Sequence, residues 1–340
     1  MPNRPADKSP GLFVLSFDTE LAWGTFDVGG LRRYATHFAQ YRGLVKRLVV
    51  LLNDYRVPAT WAFVGHLLLD KCEKSEDGLT HPDVLRPRYA WYPHDWHHRD
   101  PATDVHRDPW WYGTDILDMV HSAPVKHEIA THTFSHIVVD DPACTAEIFR
   151  SQLTACAELH QRHGLEFRSI VFPRNRIAHR EILAQYGIVA YRGRESRWYS
   201  RIWPEASGSG VLHILDRALP FSPPTYPLGA LLEGPLVNLP ASMMLLARDG
   251  FRRCIPIETR TSQAKVGLRK ASERGELFHL WLHPSNLGSD CALFACLEEI
   301  LQLADDLRQR GLLQILTMGE AAERIKQVGS DAPNRHPGQA

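Results

Sequence analysis

Net charge is the first thing this chain lacks. Its 340 residues carry 39 Lys plus Arg against 39 Asp plus Glu, a formal balance of zero with a pI near 7.3. With no positive field to gather a polyanion, nucleic acid is not an expected partner. A long apolar run is also missing. The longest charge-free apolar run, Gly234 to Ala247, spans 14 residues and is interrupted by Asn238 and Pro240, whereas a membrane helix needs about 18 or more. No transmembrane segment is therefore expected. The opening MPNRPADKSP has no apolar core of a secretory signal, which leads to the expectation of a cytoplasmic protein. Cysteine is sparse. The six, at 72, 144, 156, 254, 291 and 296, form neither a CxxC pair nor a small disulfide frame, and are expected to be buried thiols. What is present in excess is His and Trp: four of 9 Trp and five of 18 His fall between His81 and Trp111.

Short β-type runs alternate with amphipathic helical stretches along the chain, the pattern of βα units around a parallel sheet or barrel. Strands are expected at Leu12 to Phe17, Ala59 to Val64, Lys126 to Ala130, Ser169 to Phe172, Ile188 to Tyr191, Leu277 to Leu282 and Leu313 to Leu316. Helices are expected near residues 37–55, 115–121, 145–163, 179–186, 262–276 and 293–310, with Asp141 or Thr145 as N-cap of the third. Two irregular stretches, about 71–124 and 194–227, read as loop insertions in one domain of residues 1–328. The polar tail from Gly329 to Ala340 reads as disordered.

Several chemistry-bearing residues fall at strand ends, the rim where α/β active sites are built. His132 and His136 are four apart just after the third strand, a spacing that lets two imidazoles face one ion. The HExxH pattern is absent, because the fifth position after His127-Glu128 is filled otherwise, so a zincin is excluded. Asp18 and Glu20 end the first strand and, being i and i+2, point the same way. His283 ends a later strand, with His279 and Trp281 in parity with it. Phe172-Pro-Arg-Asn175 ends another. Each feature alone has a bland explanation: paired surface His, a solvated carboxylate pair, a core histidine, a surface ion pair.

Together they resemble the NodB-like polysaccharide deacetylases of carbohydrate esterase family four. Ser16-Phe-Asp-Thr-Glu20 is similar to the family's first motif, Ala59 to Gly65 to its ATFFVxG strand, and His127 to His136 to its HExGxHTxxH segment. Phe172 to Asn175 is similar to the third motif and Leu280 to His283 to the fifth, all in the family's order over about residues 11–320. The resemblance implies an α/β fold, a distorted (β/α) barrel with loop insertions, holding one divalent metal, usually zinc. It implies hydrolysis of an N-acetyl amide on a sugar, so the expected partner is a carbohydrate or small N-acylated substrate. Carried over residue by residue, it gives Asp18 as base, His283 as acid and His132, His136 and a first-motif carboxylate as metal ligands, with Glu20 favoured over Asp18 as that carboxylate. A metal polarises a poor electrophile and acidifies water, while a carboxylate and an imidazole move the protons.

Three departures from the family's pattern matter. Its Asp-Asp is here Asp18-Thr19-Glu20. Its third-motif Arg falls on Val171, leaving Arg174 just beyond as the candidate catalytic arginine, whose neighbouring backbone N–H would help hold an oxyanion. Its fourth-motif Asp-Trp pair is not found; Tyr191-Arg192-Gly193 occupies the place, with Trp198 nearby. For substrate contact the candidates are Trp110, Trp111, Tyr112, Trp281 and Asn175, the insertion's rings serving either as a sugar-stacking wall or as its own small core. His94, His97, His98 and His106 could form a second metal site, but they are expected to be solvated. Three other readings compete: a two-His-one-carboxylate Fe(II) oxygenase, an amidohydrolase of small cyclic or linear amides on the same fold, and a carbohydrate-binding relative without catalysis.

Overall fold

The computed structural model describes residues 9–196 and 222–330. Trp198 and most of the second insertion lie outside the described residues, as does the tail from residue 331. Gly329, placed in the expected tail, instead sits in a terminal helix. In chain order the strands are β1 (Gly11–Thr19), β2 (Thr60–Phe63), β3 (Glu128–Thr131), β4 (Ser169–Ile170), β5 (Ala190–Tyr191), β6 (Tyr226–Pro227), β7 (Leu232–Glu233), β8 (Leu236–Asn238), β9 (Met243–Met244), β10 (Glu276–Leu282) and β11 (Leu313–Leu316). The helices are α1 (Leu31–Asp54), α2 (Thr114–His121), α3 (Ala146–Arg162), α4 (Ile257–Arg274), α5 (Ala292–Gln309) and α6 (Met318–Ser330). Thr145 caps α3, its hydroxyl accepting from Ile148 N–H.

The strands run β6-β10-β1-β2-β3-β4-β5-β8-β7 across one sheet, with β11 beside β1 and β9 beside β10. From β10 through β5 and on to β8 the pairings are parallel. Closure comes from the segment after β8. Leu239 N–H donates to the Tyr191 carbonyl on β5, Ala241 N–H donates to the Gly193 carbonyl, and Ser242 N–H donates to the His279 carbonyl on β10. The fold is thus a distorted (β/α) barrel. An all-β double-stranded helix, on which the oxygenase reading depends, is not what this chain forms.

Alternation on the strands sorts the core into two clusters. Phe13, Leu15 and Phe17 face the outer helical layer. Leu12, Val14, Ala62, Ala130, Ala190, Val237 and Leu277 fill the barrel interior. Helix α6 closes the end where the strands begin, burying Met318, Ala321, Ala322 and Ile325 in that interior. Its first turn is tied there by Met318 N–H to Thr60 Oγ1 and Gly319 N–H to Glu128. The opposite end, where the strands finish, is left for the functional side chains.

Candidate active site

Parity extended by one step from the interior cluster delivers the site. Leu12, Val14, Ser16 and Asp18 share the inward face of β1; Ala130 leads to His132, Ala190 to Arg192, and Leu277 and His279 to Trp281 and His283. Beyond β1, Glu20 begins a short turn at Leu21–Gly24. A Cβ on Gly24 would overlap the Glu20 carboxylate, so the absence of a side chain at 24 is what seats Glu20 at the rim.

Three imidazole nitrogens converge on a single oxygen. Glu20 Oε1 lies 3.1 Å from His132 Nε2, 3.2 Å from His136 Nε2 and 3.3 Å from His283 Nε2. The ligand atoms of Glu20, His132 and His136 lie within 4.8 Å of one another, and those of Asp18, Glu20 and His283 form a second such set. The two histidines sit in a turn rather than on a helix face. Thr133 and His136 adopt φ of +60° and +56°, a left-handed conformation uncommon for non-glycine residues and concentrated at functional sites. The turn is pinned from β2, whose following residues Gly65 and His66 donate N–H bonds to the carbonyls of Thr133 and Phe134. His132 Nδ1–H donates to the Val171 carbonyl at 2.6 Å, which leaves its Nε2 lone pair facing Glu20. His136 Nδ1 is buried without a partner.

Asp18 is treated differently. Its two carboxylate oxygens accept from Arg192 Nη1 and Nη2, each at 2.6 Å, and both side chains are buried. Burial opposes ionisation of Asp18, but the Arg192 guanidinium holds its carboxyl below the ordinary carboxylate range. Arg192 is itself held: Asn175 Oδ1 accepts from Nε and Nη2, and the Trp281 ring lies 4.0 Å from the guanidinium carbon. Burial likewise opposes the Glu20 charge, yet His283 and His136 set its carboxyl well below the usual value. For His283, burial favours the neutral ring, and Glu20 and Asp18 outweigh it, so the imidazole is pushed up from its ordinary value. His136, dominated by burial, is pushed down.

A cleft of about 270 Å³ opens over Asp18, Glu20 and His283, walled by Tyr34, Phe38 and Tyr41 from α1 and by Met244, Arg252 and Asn286. None of the five residues expected to contact substrate lines this cleft. Trp111 and Tyr112 are buried in the core, Trp111 edge-on to Trp23 at 5.1 Å and Tyr112 bonded through its hydroxyl to Thr103 N–H. Trp110 packs on Phe38 at 5.4 Å. Trp281 and Asn175 serve Arg192. Arg174 pairs with Asp27 and lies against Trp91, so the cation on Asp18 is Arg192 and not Arg174. His97, expected to be solvated, is buried, and two of the six thiols, Cys254 and Cys291, are exposed.

Solved structures share this architecture. A candidate polysaccharide deacetylase from Mycobacterium smegmatis is similar over 96% of this chain and 95% of its own, at 16% identity and a TM-score of 0.59. A candidate polysaccharide deacetylase from Pseudomonas aeruginosa PAO1 matches at 15% identity and TM-score 0.54 over 96% and 92%. Puue allantoinase matches at 12% identity and TM-score 0.54 over 100% and 96%. No family model and no curated protein matches the chain. The chain has the NodB-type deacetylase fold.

Proposed function

We propose that this protein is a metal-dependent hydrolase that removes an N-acetyl group from an amino sugar or a sugar-containing intermediate. The observation that carries the reading is the convergence of His132, His136 and His283 on Glu20 Oε1 beside a clamped, ionised Asp18. With its Nδ1–H given to Val171, His132 turns an Nε2 lone pair toward a carboxylate oxygen at 3.1 Å, an arrangement that a cation between them satisfies, and two imidazoles and a carboxylate are a fitting donor set for zinc. Glu20, His132 and His136 would hold the ion. When bound, it would polarise the amide carbonyl and lower the pKa of water.

The remaining steps belong to this chain's own groups. Asp18 is ionised and cannot turn, because Arg192 holds both its oxygens; it takes the proton from the attacking water. His283 reaches the same Glu20 oxygen from the end of β10 and is biased toward its protonated form, so it gives a proton to the leaving nitrogen. Tyr34, Phe38 and Tyr41 offer ring surface to the apolar face of a sugar. No helix among the described residues is long and apolar enough to cross a membrane.

Acetate released from N-acetylated amino sugars, measured beside metal content, tests the reading. Glu20→Gln is expected to lose metal, while Asp18→Asn keeps it and loses about 10²–10⁴-fold in kcat. A metal-loaded protein that opens a cyclic amide and releases no acetate would replace the substrate and keep the site. An Asp18→Asn protein without metal, beside a Glu20→Gln protein with it, would reverse the two carboxylates.

A further inference from the structure

A second group of side chains meets away from the rim. His66 lies in the turn that follows β2, and Cys72, His81 and Asp100 lie in the first insertion. Asp100 Oδ2 is 3.0 Å from His66 Nε2 and 3.2 Å from His81 Nε2. Cys72 Sγ is 3.5 Å from that oxygen and 3.7 Å from His66 Nε2. All four donor atoms lie within 4.8 Å of one another. The His66 and Asp100 side chains are wholly buried, and His81 Nε2 is buried with no hydrogen-bond partner despite its closeness to Asp100.

Hydrogen bonding alone leaves this cluster unsatisfied, since three potential donors crowd one oxygen. A cation at the centre satisfies all four groups. In a tetrahedral zinc site with Zn–N of about 2.0–2.1 Å, Zn–O of about 2.0–2.2 Å and Zn–S of about 2.3 Å, the ligand edges are about 3.3 Å between N and O and about 3.6 Å to sulfur. The four distances above fall within a few tenths of an ångström of those edges.

The surrounding groups orient each donor inward. His66 Nδ1–H donates to the Trp111 carbonyl at 3.1 Å, freeing Nε2 as a ligand. Ala102 N–H donates to Asp100 Oδ1 at 3.0 Å, freeing Oδ2. Tyr112 Oη accepts from Thr103 N–H at 2.8 Å and lies 3.1 Å from Cys72 Sγ, so its own hydrogen is available to a thiolate. The rings of Trp23, Phe134 and Tyr112 close the shell around His66.

We propose that His66, Cys72, His81 and Asp100 bind a second zinc ion, a structural one that pins the first insertion to the end of β2. Four protein donors with no open position mark a structural site and not a catalytic one. The thiolate also separates it from the rim, whose donors are nitrogen and oxygen only.

Cobalt(II) loading of the intact, demetallated chain reads the site without any substitution, because a thiolate ligand gives a near-ultraviolet charge-transfer band that the rim donors cannot. The expected result is two metal equivalents per native chain and a thiolate band with cobalt. Cys72→Ala should hold one equivalent and show no band. The double variant His132→Ala, His136→Ala should also hold one equivalent and keep the band. A cobalt-loaded native chain without the band overturns the proposal, as does a single native equivalent lost on replacing His132 and His136, or a Cys72→Ala chain that keeps both ions.

Discussion

Arg192 holds Asp18 by both oxygens at once, one on each terminal guanidinium nitrogen at 2.6 Å. A planar fork against a planar carboxylate fixes orientation as well as charge, which a lysine cannot reproduce. The pair joins β1 to the residue after β5, 174 positions apart. Its second support comes from β10, through the Trp281 ring and through Ser16, whose hydroxyl touches both Arg192 and His279. Asp18 is therefore positioned by the barrel as a whole.

Arg192→Met should leave a buried carboxylate unpaired, which costs about 3–5 kcal/mol of stability. Arg192→Lys should fold better than Arg192→Met yet turn over more slowly than the native chain, since one ammonium cannot hold two oxygens in plane. Denaturant midpoints together with acetate release check both statements. An Arg192→Met midpoint equal to the native one would contradict the clamp.

Gly24→Ala tests how Glu20 is seated. The added methyl overlaps the Glu20 carboxylate, so Glu20 must move off the histidines. Metal affinity should fall about 10–100-fold, the scale of a disturbed ligand environment, with little change in unfolding midpoint of the metal-free chain. Equilibrium dialysis against a competing chelator measures it.

Much of this site is written in short local patterns. Asp18, His132 and His283 lie at the ends of apolar runs, where strand parity brings them to one rim, while His136 is marked by its spacing of four from His132 and Glu20 by its place two residues after Asp18. Arg192 left a fainter trace: it stands two residues after Ala190 on an inward face, but nothing local marks its partner on β1. The cluster of His66, Cys72, His81 and Asp100 has no regular spacing, because an irregular insertion and not a helix or strand assembles it. The two-residue strands β6, β7 and β9 are too short to show alternation, and the periodicity of α6 runs directly into a polar tail. The Trp-rich insertion was half legible: its rings do form a core, and the wall of the cleft comes from α1 instead.

Trp111 and Tyr34 can be told apart experimentally. Trp111→Ala removes a ring buried against Trp23 and Phe26 and should destabilise the fold by about 3–5 kcal/mol. Tyr34→Ala removes a partly buried ring from the cleft wall and should raise KM with little loss of kcat, since stacking is equal in ground and transition states. Thermal unfolding and steady-state kinetics on the two variants distinguish the roles, and a raised KM in a fully stable Trp111→Ala chain would return Trp111 to the substrate.

Acid should weaken the fold well above the range where carboxylates titrate. Burial pushes the imidazoles of His127 and His160 down to about 4 and that of His279 down to about 3. His160 shows the cause plainly: Nδ1–H donates to the Cys156 carbonyl at 2.9 Å, the ring packs edge-on to Phe167, and Nε2 is buried without a hydrogen-bond acceptor. An unfolded histidine titrates near about 6.5. Between that value and the folded one, the unfolded chain binds the extra proton, so stability rises with pH and is lost as pH falls from about 6.5 toward 4. Nearly the full contribution is present at pH 7, where the folded ring is neutral and the unfolded one mostly so. For His160 alone, the loss between pH 7 and 4.5 is about 2 kcal/mol. His160→Asn keeps an N–H donor for the Cys156 carbonyl and removes the titration, so it should start less stable than the native chain at pH 7. Its deficit should then shrink by about 2 kcal/mol by pH 4.5. Denaturant unfolding in the presence of a chelator, which removes metal release from both curves, measures that deficit at each pH. A deficit that stays constant across the interval would mean that His160 takes up its proton over the same pH range in the folded chain as in the unfolded one.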